Sequence, residues 1–243
     1  MNIRCVWEHN GNDTLLYSID FPGAYTRGEN LETAMRKMSG EIKSYMSWCS
    51  RNIDDIGAVE IVQDSDCTLD VCDADSDVLF ESETEPLSVD EYQRLKALTL
   101  KSAADFLTLY LNIPDKHLSV TAARRTFYGW VPCTAEDMYL HTKLVNDYYF
   151  GEIGVVADND GTIFECRRRG FAALEQQEGF LYNPVTEGSY GEMWSLRKVL
   201  RRFIWHDRIH AKAMYRMAVR IWGSDAIPDI FAFRMMDDGL RAW

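Results

Sequence analysis

Residues 195–223 read SLRKVLRRFIWHDRIHAKAMYRMAVRIWG, a helical pattern that runs without interruption until Gly223. Leu196, Val199, Phe203, His206, His210, Ala213 and Met217 follow alternating steps of three and four, which draws one continuous stripe along a helix. A stripe that long needs other helices to cover it. Arg197, Arg201, Arg208 and Lys212 occupy the opposite face.

Three further segments supply such partners. SVDEYQRLKALTLKSAADFLTLYLN begins at Ser88 with Glu91 at capping-box spacing and stops before Pro114. TAEDMYLHTKLVNDYYFGE opens with Thr134 and Asp137, a similar cap, and GTIFECRRRGFAALEQQ is a third helix with Gly170 inside it. Four helices joined by loops predict an all-α, up-down four-helix bundle over residues 87–243, with a C-terminal tail.

The first 86 residues carry a different period. NIRCVWEH and TLLYSIDF read as strands around a hairpin turn at Asn10-Gly11-Asn12-Asp13, and Phe21-Pro22-Gly23 ends the second. A helix starts near Asn30, its N-cap, with Leu31, Met35, Met38, Ile42, Tyr45 and Met46 at helical spacing. GAVEIVQ is a third strand and SDVLFES a fourth candidate, so a small antiparallel sheet with one helix is expected over residues 1–86. The polar stretch up to Pro86 marks the boundary. A chain of 243 residues is long enough for two such α+β and all-α units.

Charge and cysteine usage narrow the function classes. No apolar run approaches a membrane span, the N-terminus lacks a secretory pattern, and a cytoplasmic location without a membrane partner is expected. The six cysteines form no CxxC pair, which excludes a zinc ribbon or a dithiol redox motif. A net charge of −12 disfavours nucleic acid as a partner. That charge is uneven: residues 64–91 hold eleven acidic side chains and no basic one, whereas 193–220 hold eight basic ones and only Asp207. The two segments are expected to face each other.

Among the five histidines, His206 and His210 lie one turn apart on the same stripe, so their rings point the same way. Met138, His141, Val145 and Tyr148 share a stripe on the second bundle helix, which turns His141 inward as well. Three imidazoles from two helices can close one face of a divalent metal and leave other positions to water or substrate. Zn, Ni and Fe suit imidazole. His9 and His117 are read as surface residues. The His-Asp-Arg-Ile-His run also has the outline of a zinc-protease motif, but Asp207 stands where that motif has Glu and no histidine follows His210. Asp207 and Asp137 could orient imidazoles, against the simpler reading that they face solvent or cap a helix. Tyr148 is a candidate hydroxyl for the site, weighed against a core tyrosine. Trp194 and Trp205 are expected to pack between helices or domains, and Cys133 is read as a structural thiol.

SLRKVLRRFIWHDRIHAKAMYRMA and MYLHTKLVNDYYFGEIG resemble the DinB-like family of metal-binding four-helix bundles, over about residues 88–223. The resemblance puts His141, His206 and His210 in the roles of its upstream helical histidine and its C-terminal HxxxH pair. It implies a metal site and, in some relatives, a thiol-dependent transferase whose metal activates a low-molecular-weight thiol. YSIDFPGAYTRGENLETAMRKMSGEIKSYMSWC is similar to the HicB-like antitoxin fold over roughly residues 1–65. Asn30-Leu31-Glu32-Thr33-Ala34 departs from the usual T-L-E-E-A there, and no DNA-binding tail follows, which leaves a docking or regulatory module.

The leading expectation is a metal-dependent transferase or hydrolase acting on a small-molecule substrate or a low-molecular-weight thiol. The alternative is a non-enzymatic sensor or interaction protein, stabilised by metal, whose N-terminal module binds a protein partner. A homodimer is compatible with both.

Overall fold

The computed structural model describes residues 2–51, 55–126 and 129–236. Its N-terminal sheet has the strands β1 (Ile3–Asn10), β2 (Asp13–Ser18), β3 (Tyr25–Gly28) and, after helix α1 (Leu31–Trp48), β4 (Val59–Asp66), in the spatial order β3-β2-β1-β4. The β1–β2 turn falls at Gly11, whose φ of +60° suits glycine. Asn30 caps α1 by accepting from the Thr33 backbone N–H at 2.9 Å, as the sequence indicates.

The sheet is mixed, not antiparallel. β4 pairs parallel with β1, because α1 carries the chain across the sheet and returns it in the direction of β1. β3 had no strand signal of its own, being four residues long. The expected strand at SDVLFES is instead irregular chain and a short 3-10 turn over Glu81–Glu83, held by Glu83 accepting from the Phe80 N–H. Neighbouring residues of the strands feed opposite faces. Cys5 and Leu16 pack with Ala34 and Met38 of α1, while Val6 and Leu15 pack with Phe80 and Trp205.

The C-terminal part contains α2 (Val89–Leu111), the hairpin of β5 (Arg125–Thr126) and β6 (Gly129–Trp130), α3 (Ala135–Gly151) and α4 (Ile163–Leu174). The hairpin of β7 (Thr186–Glu187) and β8 (Met193–Trp194) follows, then α5 (Leu196–Trp222). The helix bounds match the sequence pattern closely, but the four helices do not make a clean up-down bundle. α4, at 12 residues, is less than half the length of the 27-residue α5, and at about 1.5 Å per residue it cannot flank α5 along its whole length. Two short hairpins stand between helices, and α5 packs on the sheet as well as on α2 and α3. Gly23 shows how tightly: with φ at +88°, an added Cβ there would stand 2.4 Å from Ile204 Cγ2.

This placement explains the basic helix. Only Ala213 and Arg220 of α5 are exposed. The cations expected on an outward face are instead enclosed and paired. Arg197 meets Glu91 at 2.5 Å, Arg201 meets Glu83, and Lys198 meets Glu192 at 2.9 Å. Glu41 of α1, fully buried, receives both Arg208 at 2.7 Å and Lys212 at 2.9 Å. Lys198 and Arg202 also donate to the carbonyls of Asp77 and Ser76. The acidic 64–91 segment and the basic helix do face each other. A single apolar cluster joins Ile3, Met38 and Trp48 to Phe106, Met214 and Phe231, so one core runs through both halves of the chain. Among the described residues, no helix is long and apolar enough to cross a membrane.

Candidate metal centre

Thr134 and Asp137 start α3 with a reciprocal capping box: Asp137 N–H donates to Thr134 Oγ1 at 3.0 Å, and Thr134 N–H donates to Asp137 Oδ2 at 3.2 Å. Asp137 is therefore a cap and does not orient an imidazole. The helix then buries Met138, Tyr139, Thr142, Asn146, Tyr149 and Phe150. His141 lies at the margin of that face, half-buried, with Leu140 and Leu144 exposed beside it.

α5 brings His206 and His210 against His141, one turn apart, with His206 on the buried side. The ring centroid of His141 is 5.1 Å from that of His206 and 4.8 Å from that of His210; the two α5 rings are 4.6 Å apart. One nitrogen from each ring can be chosen so that all three lie within 4.8 Å of one another. The cluster could hold a metal ion. Around a tetrahedral ion with bonds of about 2.0–2.1 Å, ligand nitrogens stand roughly 3.3 Å apart, so the rings need close by no more than about 1.5 Å.

The electrostatics fit such a role. Burial pushes the His206 pKa well below its ordinary value, helped by His210, His141, Arg202 and Arg167. Burial, with His141, pushes His210 down to about 3, and burial lowers His141. All three imidazoles are neutral at pH 7, each with a lone pair to donate. His206 Nδ1 is closed off from water and has no hydrogen-bond partner. A buried polar atom left in that state is costly, and a metal bond is one way to satisfy it. His206 is deeply buried, whereas His141 and His210 border the surface, which leaves an outer side to the cluster.

The neighbours differ from expectation. Asp207 is neither solvated nor bonded to a histidine: it is fully buried and bound to Arg167, whose guanidinium lies 4.1 Å from the centre of the Phe203 ring. Tyr149 meets His206 at 6.1 Å, edge to face, while Tyr148 lies against Trp194 at 5.8 Å. The structure thus puts Tyr149, overlooked in the sequence, beside the cluster. Its signal was the inner stripe Met138, Thr142, Asn146, Tyr149, one position off the stripe that carries His141. Arg202, over the Tyr149 ring at 5.5 Å, completes that wall. Trp194 packs against Tyr149, and Trp205 sits between α5 and the sheet, against Tyr17 and Tyr25. His117 is exposed, as expected of a surface residue, and lies outside the cluster. His9 is more enclosed than a surface residue, stacked on Trp7 at 4.0 Å with its Nε2 2.8 Å from Asp64. Cys133 lies 3.8 Å from Asp137 at the start of α3.

Set against protein-family models, curated proteins and solved structures, the chain matches none of them.

Proposed function

We propose that the protein is a metal-dependent enzyme that holds one divalent ion, of the Zn, Ni or Fe class, on His141, His206 and His210. The reaction we assign is thiol transfer, which the DinB-like resemblance implies for some relatives, or hydrolysis. The observation that carries this reading is the convergence of three neutral imidazoles from α3 and α5 within 4.8 Å. Among the described residues no carboxylate joins them, and an all-imidazole set favours borderline metals over calcium or magnesium.

A bound ion there supplies Lewis acidity, which lowers the pKa of a thiol or a water so that its anion exists near neutral pH. The chain itself does the rest. His206 anchors the cluster from inside, where Tyr149, itself packed on Phe203, lies against its ring. His141 and His210, at the margin, border the approach for a substrate. Three protein ligands, two of them only partly buried, support an enzyme over a purely structural metal, which is usually closed by four.

Metal analysis of protein purified without chelator tests the site: close to one divalent ion per chain is expected, and wild-type protein free of metal overturns it. Assays with bacillithiol, mycothiol and glutathione against electrophilic acceptors test the reaction. Turnover with one of them, abolished in His206→Ala, is the expected result; absence of turnover with all three removes the transferase reading.

A further inference from the structure

A sizeable cavity lies away from the histidines. It opens between the sheet, α1, α2 and the first turns of α5, and measures about 850 Å³, within the range of pockets that enclose small molecules. α5 separates the two places: Arg197 and Arg201 line the cavity, whereas His206 and His210 face α3.

The charge of this cleft runs against that of the protein. In a chain of net charge −12, it gathers six guanidinium or ammonium groups against three carboxylates. The carboxylates are already committed. Asp20 holds Arg4 at 2.6 Å, Glu91 holds Arg197 at 2.5 Å, and Glu83 holds Arg201. Lys101 pairs with Asp105, just outside the lining. Arg51 and Arg94 remain, exposed, with no ion-pair partner among the described residues; Arg94 feels Glu91 only as a field, beside the Arg197 that Glu91 already binds. Uncommitted cations along a cleft with low-dielectric walls concentrate anions there. Between them the walls are apolar: Phe21, Tyr45, Met46 and Leu98 face the same space.

We propose that this cleft binds a small organic anion, its carboxylate or phosphate headgroup held by Arg51 and Arg94 and its apolar body against Tyr45, Met46 and Leu98. An arginine fork suits a planar carboxylate or a phosphate equally, so the headgroup is decided by the arms of the test. This site goes beyond the metal reading and does not rest on it.

The test uses 8-anilinonaphthalene-1-sulfonate, an anion on an apolar body, titrated into the full-length protein and followed by fluorescence. Saturable binding at one site is expected. Arg51→Glu and Arg94→Glu should each weaken it about tenfold, the size of effect expected from reversing one headgroup contact at a partly exposed position. Both side chains are exposed and bridge nothing, so both variants should fold as wild type. Arg168→Glu, an exposed charge reversal on α4, should leave binding within twofold. Benzoate and phenyl phosphate should displace the probe, and the better of the two names the headgroup; neutral benzyl alcohol should not. Unchanged affinity in both cleft variants, or displacement by benzyl alcohol as good as by the anions, overturns the proposal.

Discussion

Asp207 follows His206 directly in the chain, yet its carboxylate turns away from the histidines to Arg167 of α4, 2.5 Å from Nη1, with both side chains fully buried. The pair ties α4 to the helix that carries two of the three candidate ligands. Removing one partner of an enclosed ion pair leaves the other charged and unsolvated, which costs about 3–5 kcal/mol. Asp207→Ala should therefore lose stability of that order in urea denaturation. At temperatures where it stays folded, it should still bind metal at the wild-type stoichiometry. Loss of metal from folded Asp207→Ala would make this residue part of the site after all.

Each of the three histidines should matter to the ion alone. His141→Ala, His206→Ala and His210→Ala should each drop metal content well below one ion per chain, read by plasma emission on folded protein. His117→Ala, away from the cluster, should keep it. Equal metal in all four variants would place any bound ion elsewhere.

The lowered histidine pKa values give metal-free protein a definite acid response. The unfolded chain takes up protons on these imidazoles near pH 6.5, while burial keeps the folded ones neutral to lower pH, to about 3 for His210. Their contribution to stability is whole above pH 6.5 and declines as pH falls from there towards 3, because the unfolded state binds more protons over that range. Thermal melts of chelator-treated wild type should drop more steeply between pH 7 and 5 than those of a His206→Gln/His210→Gln double variant. Parallel curves would mean that the rings protonate freely in the folded protein.

Gly170, inside α4, tests packing against propensity. Alanine is favoured over glycine in a helix by about 1 kcal/mol. Here the added Cβ would stand 2.1 Å from Phe150 Cε2, closer than real contacts allow. Overpacking costs typically 1–3 kcal/mol, so steric repulsion wins and Gly170→Ala should lower the melting temperature. A rise would show that Phe150 swings aside without loss.

The features that the sequence revealed were local ones. Ser88, Thr134 and Asn30 announced their helices because a cap bonds to a backbone N–H three residues on, and His206 and His210 announced each other across one turn. His141 needed only the next helix stripe. What was hidden lay in pairings between distant positions. The uneven charge did announce that the 64–91 segment faces α5, as Arg201 on Glu83 shows, but Arg208 finds Glu41 across 167 residues, and nothing in the amphipathic count of α5 foretells that its charged face is enclosed too. The same distance hid the parallel register of β4 on β1. Asp207 was misread for that reason, and Tyr149 because one stripe was followed where two lie side by side.

The enclosure of α5 bears on how this protein can change over generations. With apolar contacts on some sides and bonded cations on the others, the helix has almost no neutral ground. Viable replacements should collect at Ala213, and a swap such as Lys212→Leu would demand a matching change at Glu41. Homologous chains should therefore vary in coordinated pairs along this segment and drift freely almost nowhere.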